Sequence, residues 1–423
     1  MHHAVGSGRR FDSVFLTTAR LAVIPSLIVM AKIFLPLDGW YDRFHYVVGR
    51  DFSNFWMAGH LAVTDRAGLI YDLDAYWQAM RFAFSPQQPE MNFSYPPHAL
   101  PLLLPLGMMP FGVALAVWLA AGVAAVHFAA FGRSEIENSK TWTMLLLLSP
   151  CVLFTFSIAQ ATCLLAFLFV TGLRLVKTRP WLSGLLLGLL SIKPHLGLLI
   201  GAWLLMGREW KVIAAALATA LALSAMSVIL FGTGPWTDYL AHTVPYQASV
   251  LRVPYGFVWA LMVSPYAWFS QIGVSAGVAT VLHAATALAL AIASLVCATT
   301  ARGNNEDLAI AILALGSVLI TPYSLIYDLV IPVAALFGFL AKARIAASRW
   351  PSYALAAFWA APIALMALNE RHVPLSLPVT LAAFAATCGL AVRRRAATTS
   401  SSASMLTAMP FAANRTTPHD ATM

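Results

Sequence analysis

Residues 212–231 read VIAAALATALALSAMSVILF. No charged residue interrupts them, and twenty residues of α-helix rise about 30 Å, the thickness of a bilayer's hydrocarbon core. Stretches of this kind recur from Val14 to Val392. We place them at roughly 13–36, 105–131, 141–157, 161–176, 180–192, 195–207, 212–231, 274–299, 307–321, 324–341, 350–368 and 375–392. The 423 residues are 60% hydrophobic and 10% charged, where a soluble domain has about 25% charged residues. The chain therefore reads as an all-α, polytopic integral membrane protein with about 10–13 transmembrane helices. The expected organisation is a cytoplasmic N-terminus at 1–12, a transmembrane domain at 13–395, and a disordered cytoplasmic tail at 396–423, rich in Ser, Thr and Ala.

The net charge of +9 does not point to nucleic acid, because the basic residues stand at the ends of apolar segments, where they act as topology signals. With both termini inside, eighteen of the 26 Lys and Arg residues fall on the cytoplasmic side and seven on the outer side, with Lys32 inside the first span. Reading 180–207 as one span would put Arg208 and Lys211 opposite the Arg393–Arg395 cluster. Two short spans meeting at Lys193 fit better. The four cysteines, Cys151, Cys163, Cys297 and Cys388, lie in apolar segments without CxxC or Cys/His metal spacing and read as small buried hydrophobes. After Arg9 and Arg10 no small-x-small cleavage site follows, so the first span is expected to stay uncleaved.

This topology leaves two long outer loops, about 38–97 and 232–273. The first holds seven carboxylates, from Asp38 to Glu90. The second is aromatic, with Trp236, Tyr239, Tyr246, Tyr255, Trp259, Tyr266 and Trp268. The inner loops are short, so chemistry or recognition belongs on the outer face. Within the first loop, Phe52, Phe55, Trp56 and Leu61 predict an amphipathic helix over 51–64 that lies along the membrane surface.

The order of motifs along this frame is distinctive. Asp51-Phe52-Ser53-Asn54-Phe55-Trp56-Met57-Ala58-Gly59 follows the first span, then Gly68-Leu69-Ile70-Tyr71-Asp72 and Tyr95-Pro96-Pro97. Later come Gln160 at a span junction, Lys193-Pro194-His195, and Thr321-Pro322-Tyr323-Ser324. The series resembles glycosyltransferase family 87 over roughly residues 15–340. That resemblance implies a GT-C-like helical bundle with outer-face loop helices. It implies a polyprenyl-phosphate sugar donor, with mannose or another hexose or pentose, and a glycolipid or glycan acceptor, beside the membrane lipids themselves. It implies no cofactor and no metal, and places the active site on the outer face of the plasma membrane. The chain departs from the family at two places. The junction reads Ala159-Gln160-Ala161-Thr162 in place of Gly-Gln-x-Asn, and Tyr327 and Asp328 stand where some members have a His pair.

An inverting transfer from a lipid phosphate needs a carboxylate to take the acceptor's proton and donors or cations for the leaving phosphate. Asp51 matches the first-loop aspartate that the resemblance makes the catalytic base. By residue type alone it equally suits an N-cap for the loop helix, which would lower its pKa and weaken it as a base. Lys193, His195 and Arg252 are the candidates for the donor phosphate. A lysine at a break between two short helices is costly unless it reaches water or an anion, but snorkelling to headgroups also accounts for it. Asn54, Trp56, Tyr95, Gln160, Tyr327 and Asp328 are the candidates for substrate contact. For Gln160 a helix-end cap is the alternative, and for Tyr95 an interfacial turn.

Two other functions fit a polytopic chain. A transporter or lipid flippase is expected to show repeated halves and midplane charges, and neither is evident here. A scaffold of an envelope assembly that has lost activity fits the absent His pair.

Overall fold

The computed structural model describes residues 3–132, 136, 139–251, 256–303, 305–342 and 349–407. Among them the chain is helical throughout, with three isolated β-bridges and no strand. The helices are α1 His3–Phe34, α2 Arg50–Val63, α3 Leu73–Ala83, α4 Leu100–Gly107, α5 Phe111–Phe131, α6 Ser139–Leu147, α7 Pro150–Ile158, α8 Thr162–Arg174, α9 Pro180–Leu189, α10 Gly197–Met206 and α11 Trp210–Phe231. After the second outer loop, with its short helices α12 Gly234–Asp238, α13 Val244–Val250, α14 Phe257–Ala260 and α15 Pro265–Gln271, follow α16 Ala276–Arg302, α17 Glu306–Leu319, α18 Val330–Lys342, α19 Arg349–Ala360, α20 Pro362–Glu370 and α21 Ser376–Thr407.

The twelve apolar stretches fall mainly on helix, but 105–131 is divided at 108–110 between α4 and α5. Five helical segments are long and apolar enough to cross a bilayer singly: Val14–Phe34, Phe111–Phe131, Trp210–Phe231, Ala276–Arg302 and Ser376–Arg394. Two bent pairs bring the number to seven: α6 with α7, bent by 56°, and α19 with α20, bent by 65°. Pro150 and Pro362 each stand at the first position after the bend. Proline has no N–H for the preceding turn, and Ser149, before Pro150, also leaves helical geometry at ψ 131°, while Ala361, before Pro362, keeps it. The remaining apolar helices are shorter, and several of them stop inside the protein. The tail expected to be disordered from 396 continues as helix to Thr407, and 408–423 lie outside the described residues.

The first long loop, 38–97, folds back onto the bundle. Its helix α2 does not lay its apolar side on the membrane surface as expected. Phe52, Phe55 and Leu61 are buried, and α2 packs on α4. The reason is Gly59 and Gly107. A Cβ at either would strike the other helix's backbone, at Leu103 and Gly59 respectively, so the two helices touch main chain to main chain. The same device joins α9 to α11, where a Cβ at Gly188 would stand 2.6 Å from the Ala216 carbonyl. Small residues four apart replace the hydrophobic effect as the source of helix contact in lipid.

At one end of the bundle, ion pairs cross between helices. Arg174 Nε donates to Asp307 Oδ1 at 2.8 Å, while its other nitrogens reach the Ala129 and Ala130 carbonyls at the end of α5. Lys342 reaches Asp307 at 2.9 Å, and Glu209 accepts from both Lys177 and Arg302. These cations belong to the group assigned to the cytoplasmic side, and sharing carboxylates they occupy one end. At the other end the second loop is tied down by Asn369 of α20, whose amide donates to the Ala260 and Met262 carbonyls at 3.1 and 2.8 Å.

The glycine contact is testable. Gly59→Ala is expected to lower the unfolding temperature in detergent, at a cost of about 1–3 kcal/mol from overpacking. Gly201→Ala, where an added Cβ meets nothing within 4 Å, is expected to leave it unchanged.

Candidate functional site

Three of the sequence motifs sit where a helix stops. α7 ends at Ala159, a non-glycine residue with φ +51°, a conformation that L residues avoid unless their surroundings impose it. Here Trp118 of α5 imposes it, donating its indole N–H to the Ala159 carbonyl at 2.9 Å. The elbow turns Gln160 inward before α8 begins. The chain likewise breaks at Lys193-Pro194 between α9 and α10, with a 3₁₀ turn on either side. It breaks again between α17 and α18, where Val263 and Ile326 donate to the Ser324 and Leu261 carbonyls and join the second loop to the bundle.

All three breaks open on one cavity of about 520 Å³, within the range of about 300–1,000 Å³ usual for small-molecule sites. Its wall includes Ile158 and Gln160 from the first break, Ile192 to His195 from the second, and Tyr323, Leu325 and Tyr327 from the third. Loop 38–97 contributes Tyr46, Arg50, Asp51, Asn54, Phe55 and Glu90 to Pro96. The second loop contributes Tyr239, Tyr246, Gln247 and Phe257. Tyrosine is the commonest residue in the lining, with phenylalanines and a few charged groups beside it.

Asp51 does not cap α2. The N-cap is Gly49, held at φ +84°, and no side chain caps the helix. Asp51 stands one residue inside, facing the cavity, and its Oδ2 accepts from Gln160 Nε2 at 2.7 Å. Desolvation pushes its carboxyl up to about 6, against the opposing pull of Arg50, the Gln160 hydrogen bond and Lys193. A cap would have held it low. Burial makes it the stronger base.

The other candidates divide. Asn54 lines the cavity and accepts from Tyr76 Oη at 3.1 Å. Tyr95 lines it too, donating to Gln160 Oε1 at 3.1 Å, and Phe55 packs on its ring at 5.1 Å between centroids. Tyr327 presents its ring to Lys193 Nζ, 5.0 Å from the centroid. Asp328 does not line the cavity. It is buried, pairs with Lys193 Nζ, and accepts from the Leu325 N–H at 3.0 Å. Its carboxylate anchors a cation and contacts no open space. Lys193 lines the cavity but is therefore not an unpaired charge, and snorkelling to headgroups does not describe it. His195 also lines the cavity, and its Nε2 is buried without a hydrogen-bond partner. Trp56 is turned away. Its indole donates to the Met109 carbonyl at 2.9 Å and its ring stacks on His60, so it holds α2 in place and does not meet the cavity. Arg252 lies outside the described residues.

Sequence reading missed Arg50. It pairs with Asp42 at 2.6 Å and lies over the rings of Phe34, Tyr46, Phe44 and Phe257 at 4.4 to 5.6 Å. Its position beside Asp51 was the available signal, but nothing in the sequence showed that Asp42 turns back to meet it. Among the described residues no three His, Cys, Asp or Glu side chains gather as a metal site.

Comparison with known proteins gives two findings. Glycosyltransferase family 87 matches residues 93–322, more than half of the chain. A polyprenol-phosphate-mannose-dependent alpha-(1-2)-phosphatidylinositol pentamannoside mannosyltransferase of Mycolicibacterium smegmatis (strain ATCC 700084 / mc(2)155) is 28% identical over 223 residues. Those residues are 50% of this chain and 49% of that protein, so the match spans about half the length of the curated relative. No solved structure matches significantly. The family match contains Tyr95, Gln160, Lys193 and His195. Asp51 and Asn54 precede it, and they line the same cavity.

The Lys193–Asp328 pair gives a stability test. Lys193→Met leaves a buried carboxylate unpaired and is expected to cost about 3–5 kcal/mol. Asp328→Asn placed in the same chain keeps the acceptor for Leu325 and is expected to restore most of that loss, read as unfolding temperature in detergent.

Proposed function

The chain belongs to glycosyltransferase family 87, and from that premise we propose that it is a membrane glycosyltransferase that moves a sugar from a polyprenyl-phosphate donor to a glycolipid or glycan acceptor. The observation that supports this most directly is a desolvated carboxylate, Asp51, facing an aromatic cavity whose other walls bring Lys193 and His195. The relative's name, which states a polyprenol-phosphate-mannose donor and a phosphatidylinositol mannoside acceptor, supports mannose as the first sugar to try. Other hexoses and pentoses follow. The charge distribution favours an active site on the outer face of the cell membrane.

In this reading Asp51 accepts the proton of the acceptor hydroxyl as that oxygen attacks the anomeric carbon from the side opposite the phosphate. The anomeric C–O bond breaks, its electron pair leaves on the lipid phosphate, and the configuration inverts. A second negative charge then develops on the phosphate. Lys193 and the unpartnered His195 Nε2 are placed to receive it. The tyrosines and Asn54 hold the sugar, with ring faces for its C–H surface and hydroxyl and amide groups for its oxygens.

The decisive experiment is a transfer assay with purified protein, a panel of polyprenyl-phosphate sugars, and the lipid extract of the native membrane. Transfer from at least one such donor is expected, and a chain that transfers from none overturns the reading. Asp51→Asn is isosteric and is expected to lose roughly 10²- to 10⁴-fold in turnover. It should unfold at no lower temperature than the unaltered protein, because a buried ionised carboxylate opposes folding. Near-normal turnover by Asp51→Asn would remove the base from the scheme.

The pH dependence follows from the same group. The base works ionised, so kcat/KM is expected to be flat above pH 7. Below a midpoint at about pH 6 it should fall about tenfold per pH unit as Asp51 takes up a proton. A midpoint near 4 would show a solvated carboxylate instead.

A further inference from the structure

Gln160 was a candidate for contact with the sugar. Its surroundings assign it a different task. The side-chain oxygen accepts two hydrogen bonds, from the Ala161 backbone N–H at 2.7 Å and from Tyr95 Oη at 3.1 Å. A backbone N–H can only donate. The amide therefore cannot turn over without setting its NH₂ group against that donor. With the oxygen fixed, the nitrogen is fixed too, and it donates to Asp51 Oδ2 at 2.7 Å.

The elbow that presents Gln160 is itself held. The Gln160 N–H returns to the Thr155 carbonyl at 3.0 Å. Trp118 holds the Ala159 carbonyl through its indole N–H and packs its ring, tilted, against Phe52 and Phe55, with centroids at 5.5 and 5.2 Å. Phe52 directly follows Asp51 in α2. One indole thus fixes both the helix that bears the carboxylate and the turn that bears the amide. Among the described residues no hydrogen-bond donor reaches the other carboxylate oxygen, Oδ1, of Asp51.

We infer that Gln160 is a positioning residue. Its amide occupies Oδ2 of Asp51 and turns Oδ1 toward the cavity, where the acceptor hydroxyl binds. This rests on the reading of Asp51 as the base. A carboxylate on a flexible chain offers either oxygen in many orientations, and a base must meet its proton within hydrogen-bond reach. Fixing one oxygen selects the face of the other. The donated N–H also stabilises the ionised carboxylate, so Gln160 sets the pH at which the base is ready.

The test is the pH profile of kcat in Gln160→Met and Gln160→Glu. Met fills similar space and donates nothing. Glu keeps an oxygen for the Ala161 N–H and places a second carboxyl against Asp51. The charged and titratable groups around Asp51 are Arg50 on its own helix with its partner Asp42, Lys193 and His195 at the α9–α10 break with the lysine's partner Asp328, Tyr46, Glu90 and Tyr95 in the first loop, Tyr239 and Tyr246 in the second, and Tyr323 and Tyr327 before α18. Neither substitution removes any of these. For Gln160→Met we expect a tenfold or greater fall in kcat, an unchanged KM for the donor, and an acidic limb moved toward alkaline pH. For Gln160→Glu the limb moves further in the same direction, because two neighbouring carboxyls do not ionise together readily.

A fall in kcat with the acidic limb unmoved in Gln160→Met overturns the inference and leaves Gln160 a structural residue. A raised donor KM with kcat intact also overturns it, in favour of sugar contact. If Gln160→Met fails to fold, Gln160→Leu, which also donates nothing, decides by the same readouts, because the carboxyl of Gln160→Glu moves the limb by charge alone. Failure of the base reading itself looks different: the unaltered protein then shows no acidic limb near pH 6 and Asp51→Asn stays active.

Discussion

A helix that stops inside an apolar bundle leaves backbone groups that lipid does not satisfy, so every such break needs polar partners. Much of this protein follows from that constraint. The chain interrupts its helices at Gln160, at Lys193-Pro194 and at Tyr323-Leu325, and it gathers the three interruptions around one cavity. Each break brings its own partners. The Ala159 carbonyl takes the Trp118 indole, the Ala161 N–H takes Gln160 Oε1, and the Leu325 N–H takes Asp328. Once polar groups must be buried there to satisfy the main chain, the same place can hold a sugar and a phosphate. The lipid-facing surface remains apolar, and the short helices need not cross the bilayer singly because they end at a shared polar chamber.

The first long loop completes the chamber because α2 approaches α4 without side chains between them at Gly59 and Gly107. Gly59 and Gly107 set the depth of α2 in the bundle, and that depth brings Asp51 within hydrogen-bond distance of an elbow 109 residues away. Trp56 acts on the same element from its other side. Trp56, a candidate for substrate contact, is thus part of the clamp that places Asp51, which is a contribution to geometry and not to contact.

The apolar periodicity made the helices legible, and the family-like order of motifs made most of the cavity legible: Asp51, Asn54, Tyr95, Gln160, Lys193, His195 and Tyr327 all line it. Those residues sit at breaks and loop starts, where a polar group among apolar neighbours stands out. What stayed hidden is pairing at long range. Nothing local told that Asp328 answers Lys193 across 135 residues, or that Arg50 is held by Asp42. The facing of α2 was also misjudged. Its apolar stripe is real, but a stripe does not say whether lipid or protein covers it, and the two glycines that decide this are small residues with no periodic signal of their own. The late helical tail to Thr407 was hidden for a different reason, since Ser- and Thr-rich composition describes weak packing rather than backbone state.

If Asp51 is the base, as proposed, the ion pairs around the cavity explain how it works next to cations. An aspartate flanked by unpaired Arg50 and Lys193 would be held strongly ionised, and a carboxylate so stabilised takes a proton poorly. Here each cation has its own carboxylate, Asp42 for Arg50 and Asp328 for Lys193, both buried. Their fields at Asp51 are reduced, desolvation becomes the largest influence, and the carboxyl rises to about 6. The same pairs keep both cations in fixed places beside the cavity. In the proposed reaction, a lipid phosphate that arrives meets a lysine already oriented, whose charge is shared with Asp328 rather than free from the start. As negative charge grows on the leaving phosphate, the ammonium's attraction to it grows while its attraction to Asp328 does not change. The pairing therefore favours the later stages of bond breaking over the initial binding, which is the direction in which a binding contact becomes a catalytic one.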